Sequence, residues 1–217
     1  MPSGYRYEKK RGRAGTVFLA VVAVILAAVG VVSWLALNDP NAGKGLENTP
    51  PSEALALKTA KSAITGQEAT FEPAEVSGFL NYLVQQEKSR AGGALPVSGV
   101  EFSAGSNDTA NLYLPVTYAG KRFGVTMEGT PSIDSADGRI AFAVKSLRVG
   151  RLPLDPAWAL GVTKTRLPRE ISVHGAELDY PLPGIGVSVG GVSVGFTLKS
   201  IRMEDGKLGV KAAAKVG

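Results

Sequence analysis

The sequence predicts an α+β protein: one N-terminal transmembrane helix, then two helices packed on a bent, mostly antiparallel β-sheet. Three observations carry that expectation. Residues 15–37 hold no charged side chain, a helical apolar stripe follows at residues 76–84, and beyond Leu95 apolar residues recur at every second position.

The first segment reads as a membrane anchor. At about 1.5 Å rise per residue, a helix over 15–37 reaches roughly 34 Å, enough to cross a ~30 Å hydrocarbon core. Arg6, Lys9, Lys10, Arg11 and Arg13 precede it, whereas Lys44 stands with Asp39, Glu47 and Glu53 on the other side. The positive-inside bias then puts the amino terminus in the cytoplasm and everything after Asn38 outside. The apolar run exceeds a signal-peptide core and ends Leu-Ala-Leu-Asn-Asp-Pro rather than at a small-residue cleavage site, which favours an uncleaved signal-anchor. Trp34 falls near the outer end, where an indole suits the headgroup level. The expected localisation is the cell membrane, single-pass, with an extracytoplasmic C-terminal domain.

Charge and cysteine usage exclude several classes. Of the formal net charge of +5, most resides in the basic tail, residues 1–14, so the remainder is electrically ordinary and no nucleic-acid partner is expected. Without a single Cys, the chain has no lipobox, disulfide, thiolate nucleophile or cysteine metal site.

Residues 38–51, rich in Pro, Gly and Asn, predict a spacer. Residues 52–217 then have the size of one domain. Ser52 is placed to cap a helix running to about Thr65, with Leu57, Ala60 and Ile64 on its buried face and Gly66 just past its end. A second helix starts at Pro73, whose missing N–H costs nothing in the first turn. Val76, Phe79, Leu80, Leu83 and Val84 form its stripe.

Leu112, Leu114, Val116 and Tyr118 alternate toward a turn at Ala119-Gly120-Lys121, and Phe123, Val125 and Met127 alternate back, as in a hairpin. The run from Asp134 to Gly138 is a second turn. Ile140, Phe142 and Val144 then change parity to Leu147 and Val149, which implies a bulge at Lys145 or Ser146. The same shift separates Leu198 from Ile201, before a turn at Glu204-Asp205-Gly206. Asp155 and Pro156 predict a short helix through Leu160, ending at Gly161, with Trp158 docked on the sheet. Short strands are expected at residues 171–173 and 178–180.

Chemical motifs are sparse. The segment from Gly184 to Gly195 lacks the Lys of a phosphate loop and the third Gly of a dinucleotide fingerprint, so its repeated Gly-Val-Ser-Val predicts two strand pieces around a Gly190-Gly191 bend. His174 is the one histidine. A serine relay would need it, with Glu177 or Asp179 orienting the ring, but no G-x-S-x-G elbow accompanies it and a strand-end role fits better. Glu204 and Asp205 suit a solvated turn. No catalytic residue, cofactor or metal site is expected, and the chain reads as a non-enzyme. The aromatic residues suit a core, although a long helix beside a bent sheet also admits a lipid-sized groove.

The order of basic start, apolar span and spacer, the segments TFEPAEVSGFLNYL and MEGTPSIDSADGRIAFAVKSLRVGRLPL, the Leu167-Pro168 step and the closing SIRMEDGKLGVKA resemble the YpmS-like family of bacterial single-pass proteins. Its helix-then-sheet order is similar to that of tubular lipid-binding proteins. The resemblance implies a non-enzymatic envelope protein, with a lipid or other apolar molecule as ligand. The alternative is an interaction module that holds an envelope protein partner at the cell surface. No site residues carry over.

Overall fold

The computed structural model describes residues 13–42, 50, 52, 54–90, 97–134, 139–167, 171–181, 185–189 and 192–214. The expected basic tail before Arg13, most of the spacer, the turn at 135–138, Pro168 and the Gly190-Gly191 bend lie outside them.

Among the described residues four α-helices and eleven strands follow in the order α1 (Arg13–Leu37), α2 (Ala54–Thr65), β1 (Ala69–Phe71), α3 (Pro73–Arg90), β2 (Glu101–Ala104), β3 (Ala110–Tyr118), β4 (Lys121–Asp134), β5 (Arg139–Val149), β6 (Leu152–Leu154), α4 (Pro156–Thr163), β7 (Ser172–His174), β8 (Glu177–Pro181), β9 (Ile185–Val189), β10 (Val192–Glu204) and β11 (Lys207–Ala214). In place of one bent sheet there are two. A four-stranded sheet has the order β1-β11-β10-β9, and a seven-stranded sheet the order β2-β3-β4-β5-β8-β7, with β6 also paired to β5. Every pairing is antiparallel.

The expected transmembrane helix over 15–37 is corrected. Among the described residues no helix is long and apolar enough to cross a membrane. The apolar run is helical as part of α1. The C-terminal turn of α1 is also tied to the sheet domain. The Leu35 carbonyl accepts from the Arg151 backbone N–H at 2.9 Å, and the Tyr113 hydroxyl donates to Asp39 just beyond the helix. The single-pass localisation, its cytoplasmic amino terminus and the membrane as partner rested on that span and fall with it.

Local signals place most other element ends. Ser52 Oγ accepts from the Ala54 N–H at 3.1 Å, and Gly66 takes φ +72° where its N–H reaches back to the Ser62 carbonyl. Pro73 opens α3, and Glu75 Oε2 accepts from the Glu72 N–H at 3.0 Å in the manner of a capping box. The Lys58 ammonium, bonded to the other oxygen of Glu75, holds that carboxyl below its ordinary range. Two tight hairpins turn through consecutive left-handed residues, Ala119-Gly120 and Asp205-Gly206, the geometry that matches strand twist.

Both parity shifts are bulges. Glu128 pairs with Ser146 and Gly129 with Val144, leaving Lys145 as the extra residue. Lys199 is extra in β10, between Leu198 opposite Ala212 and Ser200 opposite Lys211. β9 and β10 form the expected hairpin, with Val189 opposite Val192.

The buried face of α2 differs from the expected one. Leu57 and Ile64 are 52% and 68% exposed, while Thr59, Ala60, Ser62 and Ala63 are buried. Small side chains let α2 lie close on β11, where Ala60 and Ala63 meet Ala212. Helix α4 runs through Gly161 to Thr163, and Trp158 is 61% exposed rather than docked. Its buried residues, Ala159 and Leu160, join Met127, Val144, Leu147 and Val173 on one face of the seven-stranded sheet.

A second cluster fills the space between α3 and the two sheets: Phe71, Val76, Phe102, Ala110, Met203, Leu208 and Val210. Buried hydroxyl chemistry locks α3 onto β2 there. Ser77 Oγ accepts from the Phe102 N–H at 2.9 Å and donates to the Pro73 carbonyl at 2.9 Å. Ser77→Ala leaves that strand amide buried without its acceptor, so a loss of about 1–3 kcal/mol is expected in urea unfolding. A loss below 0.5 kcal/mol would show that this amide finds another partner.

Candidate functional site

The antiparallel register lines up residues across four strands of the larger sheet. Ser132 of β4 lies opposite Ala141 of β5, Ala141 opposite Asp179 of β8, and Asp179 opposite Ser172 of β7. The adjoining row is Thr130, Ala143, Glu177 and His174. Because side chains alternate along a strand, these residues and Arg139 share one face, while Phe142, Val173 and Leu178 pack into the core on the other. The period-two pattern thus produces an apolar side that holds the sheet and a polar side that is left to solvent.

That polar side is concave. A cleft of about 480 Å³ lies over it, with the small side chain of Ala141 in its floor and Ser132, Arg139, Ser172, His174, Glu177 and Asp179 around it. Arg139 Nη2 reaches across β8 to donate to Ser172 Oγ at 2.9 Å. His174 Nε2 stands 3.6 Å from Asp179 Oδ2, across a turn in which Gly175 takes φ +62°. The His174 side chain is 71% exposed and that of Asp179 is 13% exposed. The Arg139 guanidinium therefore reaches the β7 side of the cleft, past the strand β8 that carries Asp179 and Glu177.

The structure brings His174, Glu177 and Asp179 together with two serines but does not assemble a relay. Serine attack needs a base within about 2.6–3.2 Å of the hydroxyl. Ser172 is instead engaged by Arg139, and among the described residues no serine hydroxyl bonds to His174. Nor is any group of three or more His, Asp or Glu placed to hold a metal ion among the described residues. What the arrangement can do is bind: five guanidinium N–H donors suit a carboxylate or phosphate, and ionised Asp and Glu accept only.

Sequence reasoning singled out His174, Glu177 and Asp179 as a group. It missed Ser132, Arg139 and Ser172, which are remote in the chain and meet only through the β4-β5-β8-β7 order. The polar alternation of Arg139 and Ser172 with apolar neighbours was the available signal.

Away from the cleft, Tyr113 is strongly perturbed. Burial, and then its hydrogen bond to Asp39, push the phenol far above its usual range, so it stays neutral and donates. It anchors the chain that follows α1 and stands apart from the cleft.

Neither a protein family, nor a curated protein, nor a solved structure matches this chain. The resemblance to the YpmS-like family, and the architectural likeness to tubular lipid-binding proteins, are therefore not upheld. The lipid reading is corrected with them. The space between the long helix and the sheets, where a lipid groove was allowed, is filled by the Phe71-centred cluster. The envelope-protein role, whether binding lipid or holding a partner at the surface, loses its basis with the span.

Proposed function

We propose that this chain is a non-enzymatic binding domain whose polar cleft takes a small zwitterionic ligand, its carboxylate on Arg139 and its ammonium on Asp179 and Glu177. The register of β4, β5, β8 and β7 carries this reading. It sets a guanidinium and two carboxylates around an alanine floor, so both charges of one small molecule can be met there. Ser132 and Ser172 supply hydroxyls that donate or accept as the ligand requires. The absence of an activated nucleophile in the cleft supports binding over turnover.

The test is calorimetric titration of the full chain with free amino acids and dipeptides, beside their N-acetylated and C-amidated forms. Saturable binding of the zwitterion is expected. Loss of either terminal charge, or Arg139→Ala or Asp179→Ala, is expected to weaken it about tenfold or more, the size of one charge-assisted hydrogen bond. Equal affinity for blocked and free termini, or no uptake of any of them, would refute the assignment.

A further inference from the structure

The other flank of β5 has a gap in its pairing. Residues 139–143 are paired by β8 and residues 147–149 by β6, so among the described residues the segment between them faces no strand along that edge. At its near end the Val144 N–H is met by the Ala176 carbonyl at 2.9 Å. The gap opens as a notch of about 450 Å³. Lys145, Arg148 and Arg151 line it, with Leu154 and the rigid rings of Pro153 and Pro156 opposite.

Three cations with no acid among them occupy seven consecutive positions, Lys145 to Arg151, and all three are exposed. The acids that register or sequence bring nearest are already engaged. Glu128, opposite Ser146, accepts from the Thr109 hydroxyl at 2.8 Å and the Ser106 hydroxyl at 3.3 Å. Asp155 Oδ1 accepts from the Trp158 N–H at 2.8 Å as the cap of α4. No ion pair joins Lys145, Arg148 or Arg151 to an acid among the described residues.

All three side chains line the same notch. Lys145 is the extra residue of the bulge, which re-aims its side chain relative to the strand. Arg151 is held at the β5–β6 turn by its backbone bond to Leu35. A polyvalent anion in the notch would gain charge-assisted contacts from an ammonium and fork-shaped contacts from two guanidinium groups.

We propose that the notch between β6 and β8 is an anion site for a compound carrying two linked phosphate groups, bound by Lys145, Arg148 and Arg151, with the apolar wall of Leu154, Pro153 and Pro156 flanking the rest of the molecule. One phosphate would occupy a small part of the notch, whereas a diphosphate offers more anionic oxygens to the three cations that line it. This site is separate from the cleft around Arg139 and does not depend on the zwitterion reading.

The experiment is titration of the full chain with inorganic pyrophosphate, with inorganic phosphate and sulfate as comparators, at two salt concentrations. Pyrophosphate is expected to bind saturably, at least tenfold tighter than phosphate or sulfate, and more weakly at the higher salt. Arg148→Ala and Arg151→Ala are each expected to weaken it about tenfold, with Lys145→Ala smaller. All three side chains are exposed, so the variants should keep the parent unfolding midpoint. Equal affinity for pyrophosphate and phosphate overturns the diphosphate assignment. No saturable binding, or binding that survives the triple alanine variant, overturns the site. Arg139→Ala should leave pyrophosphate affinity unchanged; a matching loss there would place the anion in the cleft instead.

Discussion

Phe71→Ala is expected to lower the unfolding free energy by about 3–5 kcal/mol, the usual range for removing a fully buried aromatic ring. The ring is 0% exposed and sits where five elements meet. β1 pairs it with Leu208 of β11, Val76 comes from α3, and Phe102 and Met203 arrive from the two sheets. Those neighbours lie on separate strands and a helix whose backbones are already paired, so they cannot close over the void. The loss therefore includes a cavity term as well as the transfer term. Lys58 Nζ lies 5.8 Å from the ring centroid, and that contact also disappears. Urea unfolding of the full chain checks the value. Leu57→Ala is the internal control, since its side chain is half exposed and its loss should stay within about 0.5 kcal/mol. If Leu57→Ala costs as much as Phe71→Ala, then α2 buries the face its apolar spacing implies and the small-residue face described for it is wrong.

Gly150→Ala is expected to be nearly as damaging, by a different mechanism. The residue has φ +59°, and a Cβ there would lie 2.5 Å from the Ala36 carbonyl oxygen and 2.6 Å from that of Leu35. Neither atom is the end of a flexible side chain. Both are backbone at the close of α1, and the Leu35 oxygen is the one that accepts from Arg151. Left-handed backbone costs an alanine about 1–2 kcal/mol, and forcing an atom into occupied space adds about 1–3 kcal/mol. Gly175→Ala separates the two contributions, because Gly175 has φ +62° with nothing within 4 Å of an added Cβ. Gly150→Ala should exceed Gly175→Ala by the clash alone, and hydrogen exchange at the Arg151 amide should rise only in the former. Equal losses with a protected Arg151 amide would mean that α1 does not press on the β5–β6 turn.

That contact also explains where reading the residues in isolation went astray at the amino-terminal end. Hydropathy of residues 15–37 is a local property, and it leads to a helix, which forms. Whether the helix is a span is a separate matter: among the described residues no helix is long and apolar enough to cross a membrane, and the end of α1 is hydrogen-bonded to the β5–β6 turn more than a hundred residues away. The sheet partners, Arg151 and Tyr113, carry no mark in the sequence of that role. Tyr113 reads as one more alternating strand residue, and only the fold turns its hydroxyl toward Asp39.

The cleft and the notch show the same division. Arg139 and Ser172 are ordinary strand residues until the β5-β8-β7 order sets them within 2.9 Å. Lys145 was legible as a bulge because a parity change is written in the sequence, yet the gap beside it exists only because β6 and β8 each cover part of one edge of β5.

What the sequence by itself determined is short-range: the caps at Ser52 and Asp155, Pro73 at the start of α3, the turns at Ala119-Gly120 and Asp205-Gly206, and the two bulges. Each follows from φ preference, a side-chain acceptor or side-chain parity within a few residues, so no distant partner is needed. Tertiary structure alone decided which face of α2 is buried, that Trp158 stands in solvent, that the strands divide into two sheets, and which polar side chains meet. Those outcomes depend on register and packing between segments far apart in the chain, where small side chains approach most closely and large ones settle wherever space remains.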